Sequence, residues 1–412
     1  MRAVEGVIRP YAWGSRTVLA AMQKREVPSP HPEAELWFGA HPGDPARLVG
    51  PGAPDCTDLL SAITADPEGE LGAQCVEEFG SGLPYLVKVL AAEEPLSLQA
   101  HPSREQAREG FARENAAGID VGASERNYRD PNHKPEVVIA LGRFEALAGF
   151  RAPSETIELL RALQVPQLDP YLGMLVGQPD SGGLRAVFTT WITLPQPALA
   201  QLVPAVLAGC VQYLERGEDE YRGEAELALT LGERYTDDAG VLAALLLNRL
   251  VLSPGEALYL PAGNLHAYVN GAGVEVMANS DNVLRGGLTP KHVDVPELLR
   301  VIDFEPRTPS DLKPEVRTVG NELVYLTPAP EFRVSKVTLD GTAMLRSNVI
   351  ELDARGPQML VVTSGAVTVR DRSGTVDIPA GRGVWMAASD PGVVVTAHSP
   401  RAEFFRTLVA SH

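Results

Sequence analysis

The spacing of hydrophobic and polar positions changes twice along the chain. Residues 1 to about 150 contain short apolar runs separated by glycine and proline, such as LPYLVKVL, PEVVIAL and FEALAGF, which is typical of β-strands. From about 153 to 247 apolar residues recur at helical spacing, as in ETIELLRAL and ALAQLVPAVLAGCVQYLERG. Strand-like runs then return, for example LVLSPGEALYLPAG and MLVVTSGAVTVRD. The pattern predicts a mainly β protein with an α-helical insertion.

Some helix limits can be predicted from the same pattern. Ser103 and Gln106 have the spacing of a capping box, and REQAREGFARENA follows before Gly118. Ser154 is expected to open the first helix of the insertion, and the run DDAGVLAALLLNRL is expected to be helical throughout. The chain therefore has one helix among its early strands and a separate group of helices in its middle.

A chain of 412 residues is too long for one ordinary core, so two or three domains are expected. The β, α, β order predicts that strands from both sides of the insertion build one barrel. We assign residues 1–152 and 248–315 to this split catalytic domain, 153–247 to the helical insertion, and 316–412 to a second, smaller β domain.

Composition excludes several classes of protein. The net charge of −17 argues against nucleic acid or an anionic membrane as a partner. The start, MRAVEGVIRPYAWGS, has no apolar segment of the signal-peptide kind, and no run of 18 apolar residues predicts a membrane span. The three cysteines, Cys56, Cys75 and Cys210, form no CxxC pair, which argues against a disulfide scaffold or a thiolate metal site. A reducing cytoplasm is the expected location.

The segment GEALYLPAGNLHAYVN, residues 255–270, fits the spacing G-x5-P-x-G-x2-H-x3-N, which is the second motif of the cupin superfamily. Gly255 permits a tight turn into a strand, and Pro261 with Gly263 makes the next bend. His266 then enters the following strand, where its side chain can face the interior of a barrel. The resemblance implies a cupin-type β-barrel or jelly roll.

The C-terminal segment GTVDIPAGRGVWM repeats this turn without its histidine. Pro379, Ala380 and Gly381 are retained, but Val384 stands at the position of the histidine. A second, metal-free cupin-like domain is therefore expected there.

Further candidate metal ligands come from the first group of strands. In PLSLQAHPS, Gln99 and His101 are two residues apart, so they share one face of a strand. Alone, this pair also fits an edge strand whose polar face meets water. Glu136 opens the apolar run of NHKPEVVIAL. Two imidazoles, counting His266, with one carboxylate and one amide oxygen suit a divalent cation such as zinc.

Five segments in order resemble the type I phosphomannose isomerase family: PYAWGS, PLSLQAHP, NHKPE, PAGNLHAY and MANSDNVLRGGLTPK. The resemblance covers most of residues 1 to 310 and the C-terminal part more loosely. It implies a zinc-dependent isomerase that interconverts mannose 6-phosphate and fructose 6-phosphate through a cis-enediol, in mannose catabolism or GDP-mannose synthesis. The metal ligands it implies, for one zinc ion per chain, are Gln99, His101, Glu136 and His266.

The remaining catalytic roles need a proton carrier and a group that stabilises the enediolate. Arg285 matches the family's active-site arginine, and an electrostatic role suits a group that stays protonated. A surface arginine paired with Asp281 is the alternative. The proton carrier is left open, and the candidates are Glu275, His133, Lys134 and Lys88. Lys88 lies inside an apolar run, which fits either a buried functional amine or an edge strand with an outward lysine.

Substrate contacts are also implied by the resemblance. Lys291 is expected to bind the phosphate, although a lysine after proline is often simply exposed. Tyr268 and Trp13 fit pocket-lining aromatics or core packing equally well. The full set of expected substrate-binding residues is Lys291, Tyr268, Trp13, Ser97 and Asp281.

Two other functional classes stay open at this point. A cupin dioxygenase would use iron with the same ligands, but a neutral glutamine ligand and the pair of Arg285 and Lys291 count against it. A non-catalytic sugar-binding cupin would be expected to lack some of the ligands. The expected partner is a small sugar phosphate, and the helical insertion would cap a barrel well enough for a monomer.

Overall fold

The structure is a computed structural model that describes residues 1–50, 58–340, 342, 348–354, 356–372 and 374–410. Cys56, one of the three cysteines considered above, lies outside these ranges. Cys75 and Cys210 are buried, and neither forms a disulfide within the part of the chain that the structure describes.

The strands up to the end of the long central one are β1 (Arg2–Glu5), β2 (Val7–Arg9), β3 (Glu35–Phe38), β4 (Arg47–Val49), β5 (Tyr85–Ala92), β6 (Leu98–Ala100), β7 (Glu136–Ala140), β8 (Phe144–Phe150), β9 (Leu247–Leu252), β10 (Ala257–Leu260) and β11 (His266–Ala278). The later strands are β12 (Leu284–Gly287), β13 (Glu315–Val319), β14 (Glu322–Leu326), β15 (Arg333–Asp340), β16 (Val349–Leu352), β17 (Gln358–Ser364), β18 (Ala366–Arg370), β19 (Thr375–Pro379), β20 (Gly383–Met386), β21 (Val393–Ala397) and β22 (Arg401–Leu408).

The helices are α1 (Val18–Met22), α2 (Leu59–Ala65), α3 (Pro67–Leu71), α4 (Ala73–Phe79), α5 (Arg104–Ala116), α6 (Pro153–Ala162), α7 (Asp169–Gly177), α8 (Ser181–Ile192), α9 (Gln196–Glu215), α10 (Arg222–Arg234), α11 (Ala239–Ala244) and α12 (Val295–Val301), with a short 3-10 helix at Pro166–Leu168. The mainly β architecture with a helical insertion is therefore confirmed.

The capping box at the start of α5 is confirmed. The Ser103 hydroxyl accepts a hydrogen bond from the backbone N–H of Gln106, whose side chain accepts one from the backbone N–H of Ser103. The first helix of the insertion begins one residue earlier than expected, because Pro153 occupies its first turn, where a missing N–H costs nothing.

The prediction that DDAGVLAALLLNRL is helical throughout is wrong. Helix α11 ends at Ala244, and residues 247–252 form strand β9. The leucine run is apolar on every side, so its spacing does not distinguish a helix from a buried strand. The segment becomes a strand because it pairs with β8. The Asn248 side chain also donates hydrogen bonds to backbone carbonyls of β8, including that of Ala148 at 3.3 Å.

Every strand pairing in the described residues is antiparallel, and the strands form three open sheets. The central ten-stranded sheet contains β2, β3 and β5–β12. An eight-stranded sheet has the order β13-β14-β15-β22-β17-β20-β1-β4, and a four-stranded sheet has the order β16-β21-β18-β19. Strands β1 and β4 lie within the range expected for the catalytic domain, yet they pair into the sheet of C-terminal strands.

Strand β11 connects the two halves of the central sheet. Its first residues pair with β6 and β8, and the residues after the irregularity at Tyr268 and Asn270 pair with β5 and β7. Gly271, with φ 119°, lies at this change of partners, and a Cβ there would fall 2.5 Å from the carbonyl oxygen of Arg143. A single strand therefore brings side chains from both halves toward the same interior.

Alternate residues of the central strands belong to different cores. On β5 and β7, Val87, Val89 and Val137 pack outward against the C-terminal sheet in one buried cluster. Leu90 and Val138 face the opposite way, into a cluster enclosed by β5 and β7–β11. Polar residues that share the face of Leu90 and Val138 must therefore point into this enclosed interior.

Helix α9 is long and apolar enough to span a membrane by length and composition. Its inward residues, including Val203, Val206 and Cys210, are fully buried in the core formed by the helices and the adjoining sheet face. A core helix passes the same test, so the finding is weak support for a span.

Candidate metal centre and substrate cavity

Three predicted metal ligands meet in the enclosed interior. His266 opens β11, His101 follows β6, and Glu136 opens β7. Their ligand atoms lie within 4.8 Å of one another, and all three side chains are buried. The Nε2 atoms of His101 and His266 are each 3.4 Å from a different Glu136 oxygen.

Hydrogen bonds behind the two imidazoles set their tautomers for metal binding. His101 Nδ1 lies 2.8 Å from the carbonyl oxygen of Asn282, and His266 Nδ1 lies 3.0 Å from that of Asn264. A carbonyl only accepts, so each Nδ1 carries the proton and each Nε2 presents a lone pair to the cluster. Among the described residues, His101 Nε2 and Glu136 Oε2 are buried and have no hydrogen-bond partner. These donor atoms fit a divalent cation.

Gln99 adjoins this cluster through strand register. It lies opposite His266 on β11 and opposite Arg285 on β12. Its side-chain nitrogen is 3.3 Å from His266 Nε2. A half turn of the amide would present its oxygen instead, which is the atom that suits a cation.

Electrostatics in the cluster favour the protonation states that a metal needs. Burial lowers the pKa of His101, which favours the neutral, ligating imidazole. Burial opposes ionisation of Glu136, but its interactions with His101 and Lys134 hold its pKa well below the usual range. The Lys134 ammonium is 3.4 Å from Glu136 Oε1.

A second row of polar side chains crosses the neighbouring strands. Trp37 on β3 pairs with Lys88 on β5, which in turn pairs with Glu275 on β11. The Lys88 ammonium lies 3.2 Å from Glu275 Oε2, and the Tyr268 hydroxyl donates to Glu275 Oε1 at 2.7 Å. Lys88 is buried on an inner strand, so the interpretation as an edge strand with an outward lysine is wrong.

The second row holds carboxylates and a cation together away from water. Burial alone would lower the pKa of Lys88, but Glu35 and Glu275 raise it well above the usual range. Burial raises the pKa of Glu275, and Glu136 and Glu35 add to the rise against the opposing charge of Lys88. Such opposed, interacting groups are typical of sites that handle protons.

Residues of the metal cluster and of this second row line one cavity of about 1060 Å³. Its lining includes most of the residues predicted from the sequence, namely Trp13, Lys88, Ser97, Gln99, Lys134, Glu136, Tyr268, Glu275, Asp281, Arg285 and Lys291. His133 is not part of the lining. Its Nε2 lies 2.7 Å from Glu331, which also pairs with Arg104.

Three cations lie at one side of the cavity. Arg129, Arg285 and Lys291 line it, and in the described residues none of their side chains forms an ion pair or a hydrogen bond. Burial and Arg129 lower the pKa of Arg285, and burial, Arg285 and Arg129 lower that of Lys291. Like charges held together without a direct ion pair make a ready site for an anion. Arg129 was not predicted, because it lies among polar loop residues with no distinguishing pattern.

His41 also lines the cavity, although the sequence suggested no role for it. Its Nδ1 accepts a hydrogen bond from the backbone N–H of Gly43, so the proton lies on Nε2, which is 3.3 Å from Asp281 Oδ2. This hydrogen bond is the main cause that lowers the pKa of Asp281. The pair puts an oriented carboxylate in the cavity wall. In the sequence, the one feature that could have pointed to His41 is its position shortly after strand β3.

Comparisons with known proteins agree with this geometry. A family model for the catalytic domain of type I phosphomannose isomerase matches residues 1–153. Mannose-6-phosphate isomerase of Escherichia coli (strain K12) is 37% identical over 409 residues, which are 99% of this chain and 100% of that protein. The Bos taurus mannose-6-phosphate isomerase is 32% identical over 399 residues, 92% of this chain and 90% of that protein.

A solved structure of mannose 6-phosphate isomerase in a zinc-bound holo form is 33% identical, with a TM-score of 0.88. The match covers 100% of this chain and 99% of that one. This match confirms the cupin-type fold class expected from the sequence, although the described strands form open sheets and not the closed barrel that was predicted.

Proposed function

We propose that this chain, which belongs to the type I phosphomannose isomerase family, is a zinc-dependent isomerase that interconverts mannose 6-phosphate and fructose 6-phosphate. The observation that carries the proposal is the buried cluster of His101, Glu136 and His266, with unpartnered donor atoms beside a cavity large enough for the sugar. The named relatives are isomerases, which favours this function over a dioxygenase or a non-catalytic sugar-binding cupin.

One zinc ion would be held by His101, Glu136 and His266, with Gln99 as the neutral fourth ligand. Bound there, zinc would supply Lewis-acid chemistry to the substrate. The imidazole tautomers support this assignment, because both Nε2 lone pairs face the cluster.

The reaction moves a proton between C1 and C2 of the open-chain sugar through a cis-enediol. Among the candidate proton carriers, Lys88 and Glu275 are favoured, because they are in contact and both line the cavity. Lys134 also lines the cavity, beside Glu136. His133 is the weakest candidate, since its contacts are with Glu331 and Arg104 outside the lining.

Arg285 and two other cations interact with different negatively charged parts of the substrate. Arg285 lies in register with Gln99, so its guanidinium stabilises negative charge near the sugar oxygens. Lys291 and Arg129, on the same side of the cavity, bind the phosphate. Asp281, held by His41, accepts hydrogen bonds from sugar hydroxyls.

We further propose the domain division predicted from the sequence, with β1 and β4 contributing strands to the C-terminal sheet. A cytoplasmic enzyme that feeds mannose catabolism or GDP-mannose synthesis and acts as a monomer is part of the same proposal. It binds neither nucleic acid nor membrane, as its net charge of −17 favours.

A coupled assay on mannose 6-phosphate, run before and after chelation, tests the function. Activity should disappear with the metal and return on addition of zinc. Lack of turnover by the zinc-loaded protein would refute the proposal.

A further inference from the structure

Glu35 is a buried carboxylate in the cavity wall that the sequence did not single out. It opens β3, and its side chain is only 8% exposed. Its Oε2 accepts a hydrogen bond from Trp37 Nε1 at 2.6 Å, and its Oε1 lies 3.3 Å from the Lys88 ammonium. Both carboxylate oxygens are therefore engaged, one with a neutral donor and one with a charged donor.

Strand register explains how Glu35 reaches Lys88. Trp37 on β3 lies directly opposite Lys88 on β5, and Glu35 lies two residues earlier on the same strand face. It therefore approaches the lysine diagonally from β3, while Glu275 approaches from β11 on the other side. The Trp37 ring lies 5.4 Å from the ammonium and fixes Glu35 through its indole N–H.

In the part of the chain that the structure describes, the Lys88 ammonium forms ion pairs with two carboxylates. Its ammonium contacts Glu35 at 3.3 Å and Glu275 at 3.2 Å, and Glu136 is the third carboxylate whose charge acts on it. Lysine has a flexible four-carbon stem, so one carboxylate alone would leave the ammonium free to swing around that contact. Two carboxylates from opposite strands hold it at one point of the cavity wall.

We infer that Glu35 is a positioning residue, which holds the Lys88 ammonium in place between β3 and β11 for proton handling. The inference rests on the proposed role of Lys88 in the isomerase. Glu35 acts through Lys88 and contacts none of the four proposed metal ligands among the interactions of the described residues.

A double-mutant cycle tests this assignment. Glu35→Gln keeps the shape and removes the charge, so kcat for mannose 6-phosphate should fall at least about tenfold, with zinc content retained and KM within about twofold. In a Lys88→Met background the same substitution should cost nothing further, because the group it positions is gone. An equal fold loss in both backgrounds would overturn the inference.

Glu145→Gln is the matched control. Glu145 is also a buried carboxylate paired with a cation, Arg249 at 2.7 Å, but it does not line the cavity. Its kcat should stay at the wild-type value. Glu35→Asp, which keeps the charge on a shorter side chain, should recover part of the activity lost in Glu35→Gln.

A readout that needs no turnover separates this inference from the proposed function. Amine acylation, followed by peptide mass mapping, should modify Lys88 faster in Glu35→Gln than in Glu145→Gln, because its ammonium is released. Unchanged acylation would overturn the positioning role even if the enzyme is an isomerase. Absence of wild-type turnover would instead overturn the function, while faster acylation would still support the contact.

Discussion

Replacement of Arg129 by glutamine tests whether the cation group binds the phosphate. The side chain is exposed, and the backbone amide of Arg129 is anchored by a 2.7 Å hydrogen bond to the buried Asn282 side chain. Arg129→Gln therefore removes charge from the cavity with little effect on the loop. Arg285 and Lys291 remain, so phosphate binding should weaken without being lost.

The size of the effect follows from exposure. A charge-assisted hydrogen bond contributes about 1.5–3 kcal/mol when protected, but exposed ion pairs contribute about 0–1 kcal/mol. An exposed arginine that faces a doubly charged phosphate belongs at the upper end of the exposed range, at about 1 kcal/mol, which is about a fivefold change in affinity. KM for mannose 6-phosphate should rise about fivefold, with kcat within about twofold.

Inhibition by inorganic phosphate gives an independent measure, because it reports the anion site without the sugar. Its inhibition constant should rise by the same factor as KM, and the difference from wild type should shrink as salt is added. Arg108→Gln, which removes an exposed arginine of α5 outside the cavity lining, is the control and should change neither constant. A fall in kcat at constant KM, or an equal effect of Arg108→Gln, would refute the assignment.

The same variant should alter the pH dependence of binding. Burial, Arg285 and Arg129 lower the pKa of Lys291, so its charge is lost at a lower pH than that of a free lysine. Phosphate affinity should decline as the pH rises through this pKa. Without Arg129 the pKa of Lys291 rises, and the decline should move to higher pH. No movement would show that Arg129 does not act on Lys291.

Three other variants test the remaining assignments. His101→Ala combined with His266→Ala should retain no zinc by elemental analysis, because the cluster then has no imidazole, and a full equivalent of metal would disprove the site. Arg285→Ala should keep zinc and fold but lose most of kcat, whereas a rise confined to KM would make Arg285 a ground-state phosphate ligand. Lys291→Ala should raise KM for mannose 6-phosphate and spare any weak turnover of mannose, and equal losses on both sugars would remove Lys291 from the phosphate site.

Residues with a strong local signal were predictable from the sequence. Gln99 and His101 share a strand face, and His266 follows a turn whose glycines have fixed roles. Gly255 and Gly263 do adopt positive φ values of 87° and 77°, which favour glycine. The direction of each of these side chains follows from its own strand and turn, whereas their meeting depends on the pairing of β6 with β11.

Residues whose role depends on a neighbouring strand were not predictable. By sequence alone, Lys88 fits an edge strand or an inner strand of a sheet equally well. The position of its strand between β3 and β11 distinguishes the two. Glu35 and His41 act on partners 53 and 240 residues away in the chain, at Lys88 and Asp281. No spacing within one segment reports such contacts, since they are created by the order of strands in the sheet.

The two cupin-like turns have the same backbone bend but are followed by different side chains. Gly263 and Gly381 have nearly equal φ values, 77° and 78°, and each lies three residues before an inward-facing position. At the first turn that position is His266, which joins the buried metal cluster. At the second it is Val384, which is fully buried in an apolar core between the two C-terminal sheets. The turn builds the same bend in both places, so the chemistry depends on the one residue that follows it.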